Sequence, residues 1–278
     1  MRHVLFLLAA LAVVVVYFVL LGLMWLQQER IVFQPPLVLR GFFPPRAVGN
    51  HVRQVSYRAE DGTDLFAFVV GDPARAERTL LAFHGNADLA RNLIAWAEAV
   101  TSAADVAVLL PEIRGYDGLS GRPTYLAAAL DARAAREYLS GPLGVSRDRV
   151  VYFGHSLGSA IAAELAGESP PTALLLQSPF SSAKAMARRM ALPFLTTFWP
   201  IVSRVHYDTV QRVSEMSVPV WVAHGTRDHV VPVFMGQQVY ESAAVKGELL
   251  LVPGAGHNDV AERAPSEYWH WLRLAVRS

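Results

Sequence analysis

The chain contains no cysteine, which excludes disulfides, thiolate catalysis and zinc or iron–sulfur centres built on thiolates. It also lacks an excess of either charge: 25 Lys and Arg face 24 Asp and Glu, a formal net charge of +1, and no basic stripe is present to track a phosphate backbone. Nucleic acid is therefore not an expected partner. The histidines show neither H-x-H nor H-E-x-x-H spacing, so no metal is expected. Internal repeats and low-complexity stretches are missing too.

Long apolar runs are not missing. Val4 to Leu26 (VLFLLAALAVVVVYFVLLGLMWL) carries no charge. As a helix it would be roughly 34 Å long, enough to cross a hydrocarbon core of about 30 Å. A cleaved signal peptide is the alternative, but its apolar stretch is usually about 7–15 residues, and no small-x-small pattern follows Leu26. A single-pass anchor over residues 1–30 is the expectation, with residues 4–26 in the bilayer. Arg2 and the terminal amine favour a cytoplasmic N-terminus, whereas Arg30, Arg40 and Arg46 favour the opposite sense. The N-terminal tail is very short, so the rest of the chain is expected outside the cytoplasm.

Residues 31–50 hold two Pro pairs and no periodicity, which suggests an extended linker. Val52 to Arg58 and Asp64 to Val70 then alternate as a hairpin across DGT. Short apolar runs follow at TLLAF, VAVLL, VVYF, ALLL, VPVWVA and ELLLV, separated by segments with apolar residues at helical spacing. Strand alternating with helix implies an α/β fold, a mostly parallel doubly wound sheet over residues 51–278. One segment, 181–216, is too long for an ordinary crossover and reads as an inserted helical lid. Its Phe194, Phe198 and Trp199 are candidates for lining a substrate groove, with core packing as the alternative.

Ligands of open α/β sheets bind at the carboxyl ends of strands, and there the sequence reads HGNAD, PEIRGYDG, GHSLGSA, HGTRDHVVP and PGAGHND. In GHSLG, Ser156 stands between Gly154 and Gly158 where a strand turns into a helix. That corner strains the serine backbone and demands small neighbours two positions away. A serine is a poor nucleophile unless an imidazole takes its proton and a carboxylate orients the imidazole. His257 is the candidate base and Asp228 the candidate acid. Asp259 and Asp208 are rival carboxylates. His84, His155 and His224 border strand ends without metal-ligand spacing, and His229 reads as loop packing.

The order Ser156, Asp228, His257 is that of α/β hydrolases. From about Val52 onward the chain resembles that superfamily, through HGN, RGY with a downstream G-x-P, GHSLG, HGTRDHVVP and GAGHND. With the apolar N-terminus and the VFQP that follows, it is most similar to the membrane-anchored branch that includes lysophospholipid lipases and protein depalmitoylases. The resemblance implies an α/β-hydrolase fold with a lid and no cofactor. It also implies an oxyanion hole from the backbone N–H groups of Leu157 and Asn86, and a Ser-His-Asp esterase or thioesterase acting on a small-molecule or lipid acyl substrate. RGYDG departs from the branch at Asp117, where glycine is frequent; Asp tolerates a left-handed turn. A peptidase of the same fold would need an acidic site for a free amine, with Glu112 and Asp117 the candidates. A tethered, non-catalytic scaffold is the reading from a different class.

Overall fold

The short apolar runs become strands because both of their faces are covered. In the computed structural model, which describes residues 1–36, 51–190, 196–197 and 199–278, eight strands form one sheet. They are β1 (Val52–Arg58), β2 (Asp64–Val70), β3 (Arg78–Phe83), β4 (Val106–Pro111), β5 (Val150–His155), β6 (Leu174–Gln177), β7 (Val220–Gly225) and β8 (Lys246–Val252). Their order is β1-β2-β4-β3-β5-β6-β7-β8. β2 is antiparallel to both β1 and β4, and all later pairings are parallel.

Successive side chains on a strand point to opposite faces, and the two halves of the core follow that rule. Leu81, Tyr152, Leu174 and Val222 belong to one cluster, whereas Leu80, Val151, Leu175 and Ala223 belong to the other. The first cluster is covered by α3 (Tyr125–Ser140), α4 (Leu157–Glu168) and α8 (Val233–Ser242), the second by α2 (Ile94–Ala103) and α10 (Pro265–Arg277). Helix α10 buries Tyr268, Trp271, Leu272, Ala275 and Val276. That spacing puts them on one stripe, and burying each large side chain is worth about 1.5–3 kcal/mol. Thr124 caps α3 by accepting the Ala127 N–H at 3.1 Å.

Two regions depart from a simple layered plan. Within 181–216, the expected lid, three helices are described: α5 (Ala183–Met190), α6 (Trp199–Val202) and α7 (Thr209–Glu215). At the N-terminus, α1 runs from Arg2 to Val32, so the first two residues of the expected linker are helical and the third, Phe33, is 2% exposed in the core. The rest of that linker from residue 37 lies outside the described residues. The short helix α9 (Val260–Arg263) leads into α10.

Candidate active site

Strand β5 ends at His155 and helix α4 starts at Leu157, so Ser156 makes the whole turn, with φ 54° and ψ −115°. A non-glycine residue held there costs on the order of 1–3 kcal/mol, and its surroundings must over-determine it. They do. The Ser156 N–H donates to the Gln177 carbonyl at 2.9 Å, and the Ser159 hydroxyl donates to the carbonyls of Gly154 and Gln177 at 2.7 and 3.1 Å. A Cβ on Gly154 would strike the Gly158 carbonyl, and one on Gly158 would strike the Phe83 carbonyl. Both glycines are therefore dictated by the closeness of β3, β5 and α4. At the start of α4 the Leu157 N–H has no intrahelical acceptor.

The loop after β7 brings Asp228 to the imidazole of His257. His257 Nδ1 lies 2.6 Å from Asp228 Oδ2, while Asp228 Oδ1 accepts the N–H groups of Val230 and Val231 at 2.9 and 2.8 Å. His224 Nε2 donates to the Val231 carbonyl at 2.9 Å and stands 3.2 Å from Asp228 Oδ2. Burial pushes the Asp228 carboxyl up, but hydrogen bonds from His224 and His257 outweigh it and hold the group well below the usual carboxylate range. An ionised Asp228 fixes the proton of His257 on Nδ1 and leaves Nε2 as the acceptor of the neutral ring.

Backbone contacts hold the imidazole loop beside the serine. The His257 carbonyl accepts from Ser178 Oγ at 3.2 Å and from His155 Nε2 at 3.1 Å, and the rings of His155 and His257 are 5.0 Å apart. Burial, then the proximity of His257, pushes His155 down to about 4. It is neutral at pH 7. The Ser156 hydroxyl makes no hydrogen bond among the described residues.

Beside the serine runs the loop His84–Gly85–Asn86 after β3. A Cβ on Gly85 would lie 2.9 Å from His155 Nδ1 and in contact with Ser156 Cβ at 3.5 Å. Both ring nitrogens of the buried His84 face acceptors: Nε2 is 2.8 Å from Glu112 Oε1, and Nδ1 is 2.8 Å from the Gly85 carbonyl. With a proton on each nitrogen the ring donates to both. Burial alone would lower its pKa, but the Glu112 carboxylate outweighs that and raises it. The Gly85 carbonyl and the Asn86 N–H belong to one trans peptide unit, so His84 sets the direction of that N–H.

No family model matches the chain. It is 35% identical over 242 residues to an uncharacterized protein of Mycobacterium tuberculosis, covering 84% of this chain and 82% of that one. It is 28% identical over 262 residues to the alpha/beta hydrolase domain-containing protein WAV2 of Arabidopsis thaliana, covering 87% and 85%. The structure aligns with esterase Pf2001 of Pyrococcus furiosus at a TM-score of 0.66 and 21% identity, covering 87% of this chain and 99% of that one. The chain belongs to the α/β-hydrolase superfamily.

In this α/β hydrolase the rival acids are engaged elsewhere. Asp259 accepts the Gly256 N–H at 2.6 Å and pairs with Arg263, and Asp208 caps α7 through the Gln211 N–H. Glu112 is fully buried against His84 and also accepts the N–H groups of Ala90 and Ile113, each at 3.0 Å. The Asp117 side chain is 1% exposed and paired with Arg91. Asp117 does take the left-handed turn, at φ 47°. Trp199 packs partly buried against the core at the start of α6, whereas Phe194 and Phe198 lie outside the described residues. His229 is exposed, and no group of three potential metal ligands occurs among the described residues. Sequence reasoning missed the contributions of Ser178 and His224, and the His84–Glu112 pair. The only available signal was their position at strand ends.

Proposed function

We propose that the chain is a membrane-anchored serine hydrolase that cleaves ester or thioester bonds of lipid-like acyl substrates through an acyl-enzyme. The observation that carries this reading is the His257 Nδ1 to Asp228 contact of 2.6 Å, in a loop tied by its own carbonyl to the neighbour of a strained Ser156. Ser156 Oγ attacks the acyl carbon while His257 Nε2 takes the hydroxyl proton, and Asp228 stabilises the resulting imidazolium. The backbone N–H groups of Leu157 and Asn86 receive the developing oxyanion. His257 then gives its proton to the leaving alcohol or thiol. Water, deprotonated by the same imidazole, releases the acid and restores the serine.

The lipid-like substrate is supported by where α1 delivers the site. Helix α1 is apolar enough to cross a membrane. From Leu26, the end of its apolar run, six further helical residues and two extended ones reach at most about 16 Å. At that point Gln34 bonds to the Asn86 side chain. The polar layer of a bilayer is itself about 5–8 Å thick on each side, so the proposed oxyanion loop stands close above the lipid headgroups. Glu112 and Asp117, both buried in ion pairs, offer no free carboxylate to a peptide amine, which disfavours the peptidase.

A panel of lysophospholipid, monoacylglycerol, acyl-thioester and short water-soluble aryl esters, turned over by the full chain in detergent, tests the substrate class. Preference for the long acyl substrates is expected. Much faster turnover of the short soluble esters would remove the lipid assignment and leave a general esterase.

A further inference from the structure

Helix α1 does not end clear of the hydrolase fold. Leu21, Gln28 and Glu29 are buried in its C-terminal half. Gln28 donates from Nε2 to the Val202 carbonyl at 2.8 Å and accepts the Arg204 N–H on Oε1 at 2.6 Å. Glu29 pairs with Arg204 at 3.0 Å, and the Arg204 guanidinium lies 4.9 Å from the centre of the Trp25 ring. The helix exit is thus bolted to the turn that follows α6, inside the expected lid.

The chain then enters the core. Phe33, extended at φ −106° and ψ 106°, is 2% exposed in the same cluster as Phe83, Tyr116 and Leu157. One residue later the Gln34 backbone N–H donates to Asn86 Oδ1 at 2.8 Å, and the Tyr116 hydroxyl donates to the same oxygen at 2.9 Å. The Asn86 peptide is therefore held twice: His84 grips the preceding carbonyl, while Gln34 and Tyr116 grip its side chain.

We propose that Gln28–Gln34 is a positioning element of the active site, so that full turnover requires α1 to be retained and docked rather than serving as a tether alone. The inference rests on the hydrolase reading and on Asn86 as an oxyanion donor. Asn86 touches the reacting oxygen through its backbone; Phe33 and Gln34 act through Asn86. Losing the Gln34 donor leaves the Asn86 side chain held by the Tyr116 hydroxyl with one donor fewer and loosens its N–H. Gln34 is exposed, so water can take over part of the bond and the effect is graded.

The test uses the full chain in nanodiscs. Gln34→Pro deletes the N–H together with the glutamine side chain, and Phe33 already has the extended backbone that a following proline demands. Gln34→Ala keeps the N–H and removes only the side-chain bond to the Ile31 carbonyl. The expected result is a fall in kcat of roughly three- to tenfold for Gln34→Pro, the range of one net hydrogen bond. KM and melting temperature should stay unchanged, Gln34→Ala should match the parent, and intact mass should show α1 retained. A wild-type kcat in Gln34→Pro would overturn the inference. So would an equal fall in both variants, a fall that tracks the melting temperature, or a mature chain beginning beyond Gln34. If the parent itself is inert to a fluorophosphonate, the hydrolase reading fails and this inference with it; a reactive parent with an unaffected Gln34→Pro sinks the inference alone.

Discussion

Replacing Glu112 by Gln tests how much of the proposed oxyanion hole depends on charge buried behind it. Glu112 Oε1 faces His84 Nε2 and the Ile113 N–H, and Oε2 faces the Ala90 N–H. An amide keeps the shape, but its NH2 must oppose a donor on whichever side it falls, and the protonated form of His84 loses its counter-charge. Breaking a buried pair costs about 3–5 kcal/mol, and isosteric replacement trims that toward about 2–4 kcal/mol. At about 2–4 °C per kcal/mol for a domain of this size, the melting temperature should fall by roughly 5–12 °C. His84 should then lose a proton and can no longer serve both acceptors, so the Gly85–Asn86 peptide loosens. Deleting an oxyanion donor outright costs about 10²–10³ in kcat; loosening one should cost about tenfold, with little change in KM. The assay is steady-state ester hydrolysis below the variant's melting transition. A variant that loses stability but keeps kcat would refute the link between the pair and the oxyanion peptide. The sign of the pH dependence is fixed as well. The folded pKa of His84 is raised, so the pair contributes fully below the unfolded value of about 6.5 and its contribution fades as pH rises through the folded value. Glu112→Gln should lack that alkaline loss in denaturant titrations.

Three further outcomes are expected. Asp228→Asn should leave the fold intact yet lower kcat on the order of 10⁴-fold, because the amide no longer fixes the Nδ1 proton of His257; ester kinetics at pH 7 check this. Burial depresses His155 to about 4 in the folded chain, so stability present above about 6.5 should decline as pH falls from about 6.5 toward 4. Asp228 adds a second loss below its unfolded value of about 3.9, since its folded pKa is depressed, and urea midpoints across pH 3–7 would record both. Gly158→Ala should fail to accumulate as folded protein, because its Cβ meets the carbonyls of Phe83 and His84, and soluble yield with circular dichroism reads that directly.

Much of this architecture was legible because strands buried on both faces must be apolar throughout, and VVYF or TLLAF can be little else. GHSLG was legible because a strand-to-helix corner admits only glycine on either side. The pairing of His257 with Asp228 followed from strand-end loops in the right chain order. Contacts that depend on side-chain reach were not legible. Nothing in HGN and PEIRG says that His84 and Glu112, separated by 28 positions, meet in the core. Residues 31–50 look like a linker because proline breaks periodicity, yet Phe33 is core and Gln34 reaches Asn86, 52 positions away. Asp117 illustrates the division: its left-handed turn follows from local chemistry, whereas its partner Arg91 is set by the fold.

The central claim is that Ser156 is a nucleophile served by His257 and Asp228. Labelling the full chain with a fluorophosphonate, followed by peptide mass spectrometry, tests it most directly. The account predicts a single adduct on Ser156, absent in Ser156→Ala together with ester hydrolysis. An unlabelled parent, or a Ser156→Ala chain that still hydrolyses esters, would contradict it.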